Sequence, residues 1–214
     1  MYKVKEIFYS LQGEGAHAGR PAIFCRFTGC NLWNGREQDR AKSICDFCDT
    51  DFIGTDGQNG GKFRTAAELA AKLISFWPQL IIGNKFAGTP YVIFTGGEPA
   101  LQLDAALIRA LKEHGFEIAI ETNGTKTLPE GIDWICVSPK ADAKLLITTG
   151  QELKLVFPQS LAPPESFTHL DFENFYIQPM GESSQNYTQQ AINYCLTHPQ
   201  WSLSLQTHKI TGID

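Results

Sequence analysis

Short apolar runs, each closed by polar or glycine-rich residues, recur along the chain and predict more strands than helices. Residues 4 to 9 and 22 to 27 are rich in Val, Ile, Phe and Tyr and flank a glycine-rich bend from Gln12 to Gly19, which predicts a pair of strands. In Ala22-Ile23-Phe24-Cys25-Arg26-Phe27 successive side chains point to opposite faces, so if Arg26 faces a site, Cys25 faces away from it. From Asn31 to Lys62 the chain is polar, carries four glycines after Cys48 and has no sustained period, so it predicts a long excursion of the kind that is usually functional.

Helical spacing begins at Thr65, where Thr65-Ala66-Ala67-Glu68 matches a capping box, Leu69, Leu73 and Phe76 make one apolar stripe, and Pro78 lies beyond the end. Tyr91 to Thr95 predicts a strand, Asp104 to His114 a helix with Gly115 at C′, and Phe116 to Glu121 another strand. Strands are also predicted at Trp134 to Ser138, Glu152 to Phe157, Asn174 to Gln178 and Ser202 to Gln206. A third helix is predicted at Thr188 to Thr197 and a Pro-rich surface loop at Pro158 to Ser166. With no repeat, low-complexity tract or linker in view, one domain over residues 1–214 is expected.

Polar residues cluster where strands end. Thr95-Gly96-Gly97-Glu98, Glu121-Thr122-Asn123, Ser138-Pro139-Lys140, Gln178-Pro179-Met180 and Gln206-Thr207-His208 each follow an apolar run. In α/β barrels and open α/β sheets that end carries the ligand site. The expected fold is therefore α/β, an incomplete (β/α) TIM-like barrel with few helices and an extended loop over its mouth.

The 214 residues, 43% of them hydrophobic, suffice for a sizeable core, and a formal charge of −5 argues against nucleic-acid binding and for a small-molecule substrate. Met1 to Glu6 contain no signal-peptide core, and no apolar run is long enough to span a bilayer, so a cytoplasmic protein without a membrane partner is expected. In a reducing compartment the six cysteines are better read as metal ligands or small buried hydrophobes than as disulfides, and Cys136 and Cys195 fit the second use.

Cys30, Cys45 and Cys48 follow C-x14-C-x2-C. Three thiols are one too few for closed tetrahedral zinc but suit a [4Fe-4S] cluster whose fourth iron stays free for a ligand. Cys25 as a fourth ligand would make a zinc-stabilised module without chemistry; strand alternation and the lack of a second C-x2-C knuckle disfavour it without closing it. Gly96-Gly97 taken alone marks no more than a tight turn, to which Glu98 adds a carboxylate beside backbone that a ligand can approach.

Together these motifs resemble the radical S-adenosylmethionine (SAM) enzymes, and the long first cysteine gap resembles one branch, the 7-carboxy-7-deazaguanine synthases of queuosine biosynthesis. Phe8 to Gly15, Cys25-Arg26-Phe27, Cys48 to Asp51, Glu121 to Gly124, Ser138 to Lys140, Gln178 to Met180 and Gln206 to Lys209 look like that family too, so the likeness runs nearly end to end. It implies a shortened radical SAM barrel with a cluster loop over about residues 30–62, and a [4Fe-4S] cluster on Cys30, Cys45 and Cys48. It further implies SAM contacts at Phe47, Cys48, Asp49, Gly97, Ser138, Pro139, Lys140, Gln178, Pro179, Met180 and Gly181, and Mg²⁺ on Thr50.

The activity implied is that of a carbon-nitrogen lyase. A SAM-derived radical takes hydrogen from C6 of 6-carboxy-5,6,7,8-tetrahydropterin, the ring contracts, ammonia leaves, and 7-carboxy-7-deazaguanine forms with SAM regenerated. For such a substrate Leu11, Gln12, Gly13, Arg26, Thr95 and the terminal Asp214 form the expected contact set. Arg26 suits the carboxylate, and Gln12 with Glu14 suits the ring edge. His208 and Lys209 either close over the substrate or belong to a solvated tail. A homodimer and a reductant such as a flavodoxin or ferredoxin are further implications. A glycyl-radical activase, which uses the same cofactors on a partner protein, is the enzymatic alternative.

Overall fold

The computed structural model describes residues 1–78, 81–82, 85–86, 88–181 and 186–213. In chain order its strands are β1 (Tyr2–Leu11), β2 (Pro21–Phe27), β3 (Gly61–Phe63), β4 (Ile81–Ile82), β5 (Lys85–Phe86), β6 (Tyr91–Gly96), β7 (Glu117–Thr122), β8 (Trp134–Val137), β9 (Thr149–Phe157), β10 (Asp171–Pro179) and β11 (Ser202–Leu203). The α-helices are α1 (Ala66–Ile74), α2 (Ala105–Lys112), α3 (Tyr187–Thr197) and α4 (Thr207–Thr211). All the strands except the antiparallel pair β4 and β5 join one sheet in the order β11-β10-β9-β8-β7-β6-β2-β1-β3. From β2 to β11 neighbours run parallel, while β1 and β3 are added antiparallel at one edge.

The central strands are apolar on both faces because both are covered. Tyr91, Val92, Ile93 and Phe94 of β6 are all buried, as expected of a parallel strand inside an α/β protein. On the outer face α1 and α2 lay Leu69, Leu73, Leu107, Ile108 and Leu111 against β2, β6 and β7. A second apolar cluster lies where α3 places Ala191 among Leu153, Leu155, Ile177 and Trp201. The connections from β7 to β8, β8 to β9 and β9 to β10 contain no α-helix, so the sheet is an incomplete barrel with few helices.

Local signals act as expected, with shifts at the ends. Thr65 Oγ1 accepts the Glu68 amide (3.1 Å), but the Glu68 carboxylate returns to the amide of Arg64 (2.7 Å), one residue before the reciprocal capping-box partner. α1 stops at Ile74, before Phe76. Asp104 caps α2, and Gly115 takes a positive φ of 75° just beyond it. Three expectations are corrected. Gly61 and Lys62, placed in the polar excursion, belong with Phe63 to β3, which pairs with β1. The strand expected over Ser202 to Gln206 ends at Leu203, and the Ser204 amide makes the last bond to β10, at the Ile177 carbonyl (2.9 Å). The stretch from Pro158 to Ser166 is not wholly on the surface, since Gln159 and Ala162 are buried.

Candidate active site

Cys30 stands just past the end of β2, after Gly29 (φ 86°), where the chain leaves the sheet. The excursion that follows is fastened rather than loose. Lys5 of β1 is ion-paired with Asp51 (2.8 Å) and Asp56 (3.0 Å), the Ile7 amide bonds Gln58 O (2.8 Å), and Asn59 Nδ2 bonds Ile7 O (3.1 Å). Farther along, Trp33 meets Phe52 edge-on, Arg40 stacks over Trp33, and Arg40 Nη1 donates to the carbonyls of Asp46 (3.0 Å) and Cys48 (2.8 Å). These bonds hold Cys45 and Cys48 over the strand exits. A hydrogen bond from the Cys45 thiol brings Cys48 down to about 6, while that bond and burial drive Cys45 up.

The glycines that end β6 are required by close contact with the end of β2 and the start of this loop. A Cβ on Gly96 (φ 145°) would lie 2.2 Å from Phe27 O, and one on Gly97 would lie 2.3 Å from Gly29 O and 2.8 Å from Cys30 Cβ. Glu98, next in the chain, belongs to the wall. Its carboxylate is fully buried in the wall, accepting the amides of Ala100 (2.9 Å) and Asn123 (2.8 Å) and the Thr122 hydroxyl (2.7 Å), so it ties the β6 exit to the β7 exit instead of facing a ligand. Burial raises its pKa, and these donors partly offset that. Asn123 carries the tie onward through Nδ2 to Asn31 Oδ1 (3.1 Å) in the cysteine loop.

The bend after β1 does more than join two strands. It runs along the inner face of the half-barrel: Gln12 Nε2 donates to Glu121 Oε1 (2.8 Å), Glu14 pairs with Lys154 (2.8 Å), the Gly15 amide bonds Ser204 Oγ (3.0 Å), and Ala16 N bonds Glu152 Oε2 (3.2 Å). Toward the strand starts, His17 bonds the Tyr91 hydroxyl (2.9 Å), and Arg20 forks the Glu117 carboxylate. The bend therefore supplies a floor that a closed barrel would build from strand side chains. Burial alone would raise the Glu14 carboxyl, but Lys154, Gln206 and His208 bring it down to about 2. Its unfolded value is about 4.3, so this stabilisation is complete above roughly pH 5 and is lost as pH falls toward 2. Thermal melts are expected to show the wild-type Tm dropping below about pH 5, and Glu14→Gln lowering the neutral-pH Tm by about 5–10 °C while flattening that drop.

One cavity of about 930 Å³ collects these parts. It is lined by Cys30, Cys45 and Cys48; by Phe47, Asp49, Thr50, Gly97, Ser138, Lys140 and Gln178 to Gly181 of the expected cofactor set; and by Leu11, Gln12, Gly13, Arg26 and Thr95 of the expected substrate set. Pro139 is the exception, buried behind the wall with its carbonyl accepting Gln159 Nε2 (3.3 Å). Asp214 lies outside the described residues. The segment expected as either closure or solvated tail is α4. Thr207 N and Oγ1 both bond Gly13 O (2.9 Å each), Lys209 pairs with Asp49 (3.0 Å), and His208 packs so closely that a Cβ on Gly13 would lie 2.3 Å from its Nδ1.

Among the described residues no three His, Cys, Asp or Glu side chains are grouped to hold a single metal ion. A cubane cluster is wider than an ion, and thiols disposed around a cavity suit it better. Cys25 is wholly buried in the outer apolar cluster, on the face of β2 opposite Arg26, so it is removed as a fourth ligand. Sequence reasoning missed Lys154 and Glu152. Both alternate with Leu153 and Leu155 along β9, a pattern that ordinarily marks a solvated face, yet both are buried at 3% exposure.

Three comparisons bear on this site. A model of the radical SAM superfamily matches residues 39–141, a stretch that holds Cys45, Cys48, Gly97 and Ser138 to Lys140 but begins after Cys30. The chain is 62% identical over 216 residues to the 7-carboxy-7-deazaguanine synthase of Caulobacter vibrioides, and 60% identical over 213 residues to that of Bordetella pertussis, covering 99% of both chains in each case. Its fold is similar to the crystal structure of QueE from Escherichia coli, with a TM-score of 0.67 at 24% identity over 96% of this chain and 93% of that one. No described helix is long and apolar enough to cross a membrane.

Proposed function

The chain belongs to the 7-carboxy-7-deazaguanine synthase family within the radical SAM superfamily, and on that premise we propose that it contracts 6-carboxy-5,6,7,8-tetrahydropterin to 7-carboxy-7-deazaguanine with loss of ammonia, in the 7-deazapurine route to queuosine. The observation that carries this reading is the convergence of Cys30, Cys45 and Cys48 on the cavity into which the strand exits open, with Cys25 turned away. Three thiolates hold a [4Fe-4S] cluster and leave one iron for SAM. When bound, the cluster and SAM supply the electron and the adenosyl radical that remove hydrogen from C6.

The chain's own part is binding and orientation. Gly97, lying against the Cys30 loop, presents backbone to the cofactor, and Ser138, Lys140, Gln178 and Met180 surround it. Arg26 spends Nε on Glu6 (2.7 Å) and, among the described residues, no other bond of its guanidinium is formed, so its outer NH groups serve the substrate carboxylate. Gln12 and Thr95 meet the ring. The Lys209 to Asp49 pair ties α4 to the cysteine loop at the mouth of the cavity.

Thr50 lines the cavity beside Asp49 and Asp51 and is the proposed protein ligand of Mg²⁺, with the substrate carboxylate and water completing the shell. Thr50→Val is expected to raise the Mg²⁺ concentration for half-maximal activity by about tenfold or more while leaving iron content unchanged, read from Mg²⁺ titrations. A flavodoxin- or ferredoxin-type reductant, a homodimeric state and one radical SAM domain over residues 1–214 belong to the same proposal. The last is supported by a sheet to which both ends of the chain contribute.

The glycyl-radical activase and the zinc module give way to this reading. The relatives bear the synthase name over their whole length, and zinc loses its fourth thiol with Cys25. The deciding assay is anaerobic incubation with reductant, SAM and the carboxy-tetrahydropterin, with and without Mg²⁺. Mass-spectrometric detection of the deazaguanine supports the proposal, and its absence from enzyme that carries iron and sulfide and cleaves SAM rejects it.

A further inference from the structure

Glu14 of the bend, expected at the ring edge, is joined on the inner face by three charged side chains that the chemistry described so far does not use: Glu121 from β7, and Glu152 and Lys154 from β9. Lys154 Nζ sits between Glu14 Oε2 (2.8 Å) and Glu121 Oε2 (3.1 Å), with its side chain only 4% exposed. The other oxygen of each carboxylate is held by an amide, Glu14 Oε1 by Gln206 Nε2 (3.0 Å) and Glu121 Oε1 by Gln12 Nε2 (2.8 Å). Each carboxylate is thus pinned at both oxygens, and each oxygen keeps a second lone pair. Glu14, Glu121 and Lys154 all line the cavity.

Glu14 and Glu121 repel one another as like charges, and Lys154 Nζ, within 3.1 Å of both, supplies the opposite charge between them. Burial disfavours the Lys154 ammonium, but the acidic groups around it, Cys136, Glu121, Glu14 and Glu152, outweigh that and raise its pKa well above the ordinary value. Glu152 is itself raised by burial, and Cys136 bonds it from β8 (3.5 Å). The other cations facing the group are Lys140, from the turn after β8, and His208 of α4.

We propose that Lys154 is a positioning residue for the substrate, holding Glu14 and Glu121 as two fixed, ionised acceptors for the adjacent N–H donors of a 2-amino-4-oxo heterocycle. It acts through those carboxylates and does not meet the reacting carbon. The proposal rests on the reading of the substrate as a tetrahydropterin and adds the group that makes the floor of the cavity select for that ring edge.

The test is equilibrium binding of 6-carboxy-5,6,7,8-tetrahydropterin to the reconstituted enzyme with SAM and Mg²⁺ and without reductant, from about pH 6 to about pH 9. Wild type is expected to bind with little dependence on pH. Lys154→Met is expected to bind about thirtyfold more weakly near neutrality, with the deficit shrinking as rising pH returns charge to the orphaned carboxylates. Lys154→Arg, which keeps the charge, is expected to recover most of the affinity and the flat profile. Should Lys154→Met fail to retain its fold and iron, Lys154→Gln, which also removes the charge but keeps both carboxylates, takes its place under the same criteria. Affinity within threefold of wild type near neutrality, or a deficit that does not change with pH, overturns the positioning role. A wild type that does not bind the pterin overturns the substrate reading and this proposal together, whereas a wild type that binds it beside insensitive variants overturns this proposal alone.

Discussion

Replacing Cys30, Cys45 or Cys48 by alanine is expected to abolish product formation, whereas Cys25→Ala is expected to keep a full complement of iron. The difference follows from β2. Arg26 turns toward the cavity, so its neighbour Cys25 faces the outer core, where it is wholly buried and burial pushes its thiol pKa up. A neutral thiol in that setting is a small hydrophobe, and its loss costs about 1 kcal/mol of packing. The other three line the cavity, and a cluster left with two protein thiolates is neither retained nor held against SAM. Iron and sulfide analysis beside mass spectrometry of the product reads both halves of the expectation. Retained turnover in any of the first three variants, or loss of iron in Cys25→Ala, would refute the ligand assignment.

Gly97→Ala is expected to lower activity by about a hundredfold with stability much less affected. An added Cβ would lie 2.3 Å from Gly29 O, 2.7 Å from Gly29 C and 2.8 Å from Cys30 Cβ, and the first two are backbone atoms that cannot rotate away. Relief has to come from separation of the β6 exit and the Cys30 loop, which the Glu98 N to Gly29 O bond (2.8 Å) otherwise holds together. That separation moves the cofactor-binding turn relative to a cluster ligand, and a displacement on the order of 1 Å between reacting groups carries a penalty of about this size. The effect should appear as slower SAM cleavage in enzyme of normal iron content, with Tm within a few degrees of wild type. Normal SAM cleavage would show that the contact does not set cofactor placement.

Much of this architecture was legible because it rests on local rules. The strands β1, β2 and β6 to β11 were visible as short apolar runs, their exits as short polar stretches, and α1 and α2 as capped 3.6-residue stripes. Alternation alone separated Cys25 from Arg26. What stayed hidden depends on which face of the sheet is enclosed. Glu152 and Lys154 read as the wet side of a half-buried strand, and only the bend from Gln12 to Arg20, folding back across the inner face, makes that side an interior. The place of Glu98 stayed hidden for a related reason: its carboxylate is drawn into the wall by the Ala100 amide of its own turn and by Thr122 and Asn123 of the β7 exit. α4 was missed because its five residues, none of them buried, are too few to show a helical apolar stripe.

The account depends most on three thiolates holding a cluster with one iron open to SAM. Anaerobic reconstitution followed by iron and sulfide analysis, with electron paramagnetic resonance of the reduced enzyme before and after SAM is added, tests it directly. About four irons and four sulfides per chain are expected, together with a cluster signal that changes when SAM binds. Stoichiometric zinc without iron, or a cluster signal indifferent to SAM, would contradict it.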